Sequence, residues 1–133
     1  MTRFLTPLQV EVLDDGRHYR VIVPFEFASE VVQRIIRIPV GFITDFASTP
    51  RLLWVFLPPT GRWSKAAVVH DMLYQHPECL TPRVTWMAAN RTLLEGCEAL
   101  SVNWLTRWAI FGGVCLGGWI VWRHYRRQEK RTV

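Results

Sequence analysis

Disulfide chemistry has little to work with in this chain. Its 133 residues hold three cysteines, Cys79, Cys97 and Cys115, an odd number with no CxxC pair. That set excludes a disulfide framework and a zinc knuckle, and it fits a reducing compartment. The first seven residues, Met1 to Pro7, lack the apolar run of a secretory leader, so export by that route is not expected. Internal repeats and low-complexity segments are also absent, which leaves out solenoids and disordered linkers. What the chain does have is apolar residue: 50% of it is hydrophobic, with seven tryptophans, enough for one domain with its own core.

The net charge of +5 is unevenly placed, because Arg123, Arg126, Arg127, Lys130 and Arg131, less Glu129, contribute four of those charges from the last eleven residues. The body is then nearly neutral. Specific nucleic-acid binding is not expected from such a distribution; the basic tail reads as a solvated end, with non-specific phosphate or anionic-surface contact as the alternative.

The first forty residues have strand character. Leu8 to Leu13 and His18 to Phe25 are β-prone runs around Asp14-Asp15-Gly16-Arg17, the turn chemistry of a hairpin. Arg34 to Val40 sets Ile36, Ile38 and Val40 opposite Arg37, and is expected to add a strand to the same sheet, with Pro39 at an edge or strand end. From 41 to 63 the period is lost, and an ordered apolar loop is expected, with a short helix near Arg51 to Phe56. Three helices follow: one capped by Ser64 and running to about Gln75, one starting at Thr81-Pro82 and reaching about Leu100, and one opened by Asn103 and reaching about Arg126. The fold class is α+β.

At 100° per residue, His70, Tyr74, Ala66 and Ala67 share one face of the first helix and Asp71 lies at its margin. On the second helix Asn90 sits inside an apolar stripe, where a buried amide needs a partner. A short turn makes the two helices antiparallel, which sets His70 opposite Asn90. One reading is a structural polar pair. The other adds Asp71 and Asp45 as carboxylates that could hold a divalent cation, calcium or zinc, and activate water. Asp45, after Thr44 and close to Ser48, also suits a turn cap.

The succession Ile38-Pro39-Val40-Gly41-Phe42-Ile43-Thr44-Asp45-Phe46-Ala47-Ser48-Thr49-Pro50, then Leu57 to Trp63, then His70-Asp71-Met72-Leu73-Tyr74, resembles the phage and prophage proteins catalogued as domain of unknown function 1353. The resemblance covers roughly residues 35 to 95. It implies a viral origin, a location in the virion or the infected cytoplasm, and a site around Asp45, His70, Asp71 and Tyr74, with Thr44 and Ser48 in support. It also implies an acidic residue on the second helix where this chain has Asn90. By analogy alone, His70-Asp71-x-x-Tyr74 is similar to the catalytic helix pair of secreted phospholipases A2. That analogy makes His70 the general base, Asp71 a calcium ligand and Asn90 the group that orients the imidazole, with Asp45 and loop carbonyls completing the metal site. The function classes are thus a hydrolase-like protein acting on a lipid or cell-envelope substrate and a non-catalytic structural, virion-associated or host-interaction protein.

The third helix carries no charge from Trp108 to Trp122. At ~1.5 Å per residue this run spans about 22 Å, short of a hydrocarbon core of about 30 Å. A span is therefore not expected. Trp104, Trp108, Phe111, Cys115, Trp119 and Trp122 form one stripe, and Leu105, Ala109, Gly113, Leu116, Gly117 and Ile120 the other. The small-residue side is expected to pack on the domain, and the aromatic side to meet a partner subunit, a virion component or a membrane interface.

Overall fold

A computed structural model describes residues 3–16, 18–45 and 63–131. Among the described residues, six short strands precede three helices in the order β1 (Arg3–Phe4), β2 (Val10–Val12), β3 (Tyr19–Val21), β4 (Phe25–Ser29), β5 (Arg34–Ile38), β6 (Ile43–Thr44), α1 (Ser64–Gln75), α2 (Trp86–Ala99) and α3 (Trp104–Arg131). The class is α+β, as the patterning indicates. Ser48, the Arg51–Phe56 stretch and nearly all of the apolar loop lie outside the described residues.

The strands make two three-stranded antiparallel sheets, ordered β1-β4-β5 and β2-β3-β6. This corrects the expectation of one sheet. The run from His18 to Phe25 breaks at Ile22 to Pro24, so Tyr19–Val21 pairs back on β2 while Phe25 begins β4, which pairs with β5. The β4–β5 register sets Phe25 against Ile38 and Phe27 against Ile36, and all four side chains are fully buried. Period-2 alternation puts Arg37 on the outer face, and Pro39 follows the last residue of an edge strand, where its missing donor costs nothing.

Glu95 of α2 fixes the turn after β4. Its carboxylate accepts from the Ser29 hydroxyl at 2.6 Å and from the Glu30 and Val31 amides at 2.8 and 3.1 Å. A sheet corner is thereby tied to the helical half, with charge-assisted bonds replacing an unsatisfied turn.

Two helix starts differ from expectation. Ser64 is the first helical residue and Trp63 takes the cap position with no side-chain bond. The second helix begins four residues after Pro82, because Pro77–Cys79 form a 3-10 turn and Thr85 is the residue whose side chain accepts from the Ala88 amide at 3.1 Å. Asn103 does open α3, accepting from the Thr106 amide at 2.8 Å. That helix continues through the basic segment to Arg131 instead of ending near Arg126.

Contacts between α1 and α2 run in opposite orders, with Ala66 at Gly96, His70 at Asn90 and Tyr74 at Trp86, so the helices are antiparallel. The closest approach is at Gly96, where a Cβ would lie 2.7 Å from that of Ala66. Two small residues facing each other let the backbones meet. Every residue from Ala66 to Tyr74 is buried, which explains why this helix has little amphipathic signal: the sheets, α2 and α3 cover it on different sides.

Candidate functional site

The buried polar cluster is built across all three helices. His70 Nε2 lies 3.0 Å from Asn90 Oδ1, and the Tyr74 hydroxyl donates to the same oxygen at 2.6 Å. Trp86, one turn before Asn90 on α2, donates its indole N–H to the Tyr74 hydroxyl at 2.9 Å. The Asn90 amide nitrogen faces Cys115 Sγ of α3 at 4.0 Å. Asn90 is fully buried, and His70 is 2% exposed.

These contacts assign the protons. An amide oxygen only accepts, so His70 carries its hydrogen on Nε2, and Tyr74, whose oxygen receives the indole N–H, gives its own hydrogen to Asn90. His70 Nδ1 is then left as a lone pair. It is buried and has no hydrogen-bond partner among the described residues. Burial lowers the imidazole from 6.5 to about 4, opposed by the Asn90 bond and by the negative charge of Asp45. Near neutral pH the ring is a neutral acceptor. The Tyr74 ring packs against it with centroids 4.1 Å apart, and burial raises the Tyr74 hydroxyl well above its ordinary value.

Asp71 turns toward the β2-β3-β6 sheet, where the Thr44 hydroxyl donates to Oδ2 at 2.5 Å. Thr44 is held by β6 opposite Tyr19, so strand pairing determines where this donor stands. Asp45, the next residue, is half-buried and close enough for its charge to act on His70. The charges of Asp71 and Asp45 also act on Tyr125 of α3, whose hydroxyl is pushed up to about 12, mainly by burial. His70, Asp71, Asn90, Asp45, Thr44 and Tyr74 therefore share one neighbourhood. Ser48 lies outside the described residues.

Among the described residues no group of three or more His, Cys, Asp or Glu side chains could hold a metal ion. The loop carbonyls that would complete a metal site with Asp45 and Asp71 lie outside the described residues.

Four participants escape the sequence patterning: Trp86, Cys115, Tyr125 and Arg126. Trp86 could have been found, since it stands four residues before Asn90 on the same helical face. The other three belong to α3, whose expected packing is overturned in its C-terminal half, although Trp104 and Trp108 of the aromatic stripe stay exposed. Trp122 is buried with its ring edge-on to Tyr74 at 5.3 Å, and Trp119 meets Trp86 at 5.1 Å. Leu105, Leu116 and Ile120, placed inward by the small-residue argument, face outward. Gly118 decides it: a methyl there would overlap the Tyr74 hydroxyl, so this glycine is what lets α3 close over the cluster. Arg126, one turn past Trp122, lies 4.5 Å from that ring and donates to the Tyr74 and Gln75 carbonyls at 2.5 and 3.3 Å. A cation thus satisfies the open C-terminal end of α1.

With this geometry in place, comparison with known proteins gives one result. The family model described as protein of unknown function (DUF1353) matches residues 19–114, more than half of the chain. No curated protein and no solved structure matches it.

Proposed function

We propose that this chain, which belongs to the DUF1353 family, is a phage- or prophage-encoded hydrolase-like protein in which His70 acts as a general base on an ester or amide of lipid or cell-envelope origin. The observation that carries the reading is the lone pair on His70 Nδ1, buried without a protein partner among the described residues while Nε2 is held by Asn90. Orientation of one ring nitrogen by a fixed acceptor leaves the other available to take a proton from water. In the proposed step the water oxygen attacks the carbonyl, its proton passes to Nδ1, and His70 returns that proton to the leaving oxygen or nitrogen. Asn90 and Tyr74 are positioning residues here. Asp45 supplies negative charge that favours the transient imidazolium.

The route needs no metal. A calcium or zinc ion bound through Asp45 and Asp71 is a separate proposal, and a rise in melting temperature on adding either ion tests it. The experiment for the base is a screen of short-chain esters, phospholipids and acylated aminosugars with the intact chain and with His70→Gln. Loss of a detected activity by about a hundredfold or more, with the fold retained by circular dichroism, supports it. One observation favours a second reading, in which the cluster is a non-catalytic hydrogen-bond hub of a phage structural or host-interaction protein: His70 is only 2% exposed. That reading gains if no substrate turns over and His70→Gln costs mainly stability.

A further inference from the structure

The outward side of α3 takes no part in the His70 cluster. Leu105 is 72% exposed, Leu116 89% and Ile120 75%. At 100° per residue they fall on one stripe, and Arg123, Arg127 and Lys130, all exposed, continue the same stripe toward the C-terminus. The apolar part is about 22 Å long by rise per residue. Trp104 and Trp119, 66% and 47% exposed, flank it. By length and composition alone residues 104–130 could cross a membrane, and little of that segment is buried in the protein.

From this stripe we infer that α3 is a membrane-docking helix which lies along an anionic phospholipid surface, its leucine and isoleucine side chains among the acyl chains and its three cations at the headgroups. Two observations select this occupant. The opposite face of α3 is committed to the protein through Trp122, Gly118 and Arg126, and the Arg83–Glu129 pair at 2.7 Å secures its end. With one side held against the protein at Trp122, Gly118 and Arg126, the helix suits an interfacial position better than a span. Charge selects against a second copy: Glu129, the one acidic residue of α3, already holds Arg83 and Arg126, so the outward face offers a duplicate of itself cations and no acid. Phosphate-bearing headgroups supply the missing negative charge. Tryptophans at the flank suit the boundary layer.

This inference rests on surface residues alone and stands or falls apart from the reading of His70. Its test is flotation of the full chain, synthesised without cells in the presence of vesicles, using equimolar phosphatidylcholine and phosphatidylglycerol against phosphatidylcholine alone. The expected result is binding that prefers the anionic vesicles. Replacing Arg123, Arg127 and Lys130 together by Gln should weaken it about a hundredfold, from roughly fivefold per charge. Leu116→Glu with Ile120→Glu should abolish binding while the far-ultraviolet spectrum stays unchanged, since both side chains project into solvent. Three outcomes overturn the inference: no flotation with either vesicle, a vesicle-free chain that is a dimer made monomeric by Leu116→Glu, or retention in the bilayer after alkaline carbonate, which would identify a span.

Discussion

Acid should destabilise this protein through His70, and by an amount the structure sets. The imidazole has an ordinary value of 6.5 and is lowered to about 4 in the fold by burial. Above pH 6.5 the ring is neutral both folded and unfolded, so it contributes no pH dependence. Between 6.5 and 4 the unfolded chain binds the proton and the folded chain does not, so stability rises with pH in this window and is lost as pH falls through it. Each pH unit inside the window corresponds to about 1.4 kcal/mol at most, and the whole interval to about 3 kcal/mol. That is a large share of the roughly 5–15 kcal/mol by which domains are stable. The measurement is denaturant unfolding at several pH values between 7 and 4 for the intact chain and for His70→Gln. Carboxylates titrate in both proteins, so the difference between the two slopes isolates the histidine. Wild type should lose about 3 kcal/mol more than His70→Gln across the window. Parallel slopes would refute the reasoning, because they would mean that His70 protonates within the folded state as readily as outside it.

Asn90→Asp should move the His70 titration upward by one or more units, since a carboxylate 3.0 Å from Nε2 replaces a neutral amide; an NMR titration in which His70 stays still would remove the pairing. Gly118→Ala should cost about 1–3 kcal/mol by overpacking against the Tyr74 hydroxyl, and combining it with Tyr74→Phe should recover part of that loss. Strictly additive losses in thermal unfolding would contradict the contact. Arg126→Met keeps the stem but removes the cation from the Tyr74 and Gln75 carbonyls, and should cost about 1.5–3 kcal/mol. Hydrogen exchange at the end of α1 should rise in that variant, and unchanged protection there would exclude the cap.

Local periodicity determined much of this protein. Alternation at Ile36, Arg37 and Ile38, the turn at Asp14 to Gly16, and the helical spacing of His70, Tyr74 and Asn90 are properties of short segments, because a side chain's direction follows from backbone geometry within a few residues. The meeting of His70 with Asn90 was legible for the same reason: a short connection between two helices leaves few ways to pack them. Tertiary structure decided what depends on partners distant in the chain. Which strand β5 joins is set by the break at Ile22 to Pro24 and by pairing with β4, and alternation alone does not encode the neighbour. Thr44 reaches Asp71 only because β6 pairs with β3. For α3, apolar on every side, the small-residue spacing points inward a face that the structure leaves exposed at Leu105, Leu116 and Ile120. One close contact, Gly118 against Tyr74, brings Trp122 inward and leaves Leu105, Leu116 and Ile120 outside, while Trp104, Trp108 and Trp119 stay exposed. Such a choice rests on the shape of the surface being covered, which exists only after the other helices have packed.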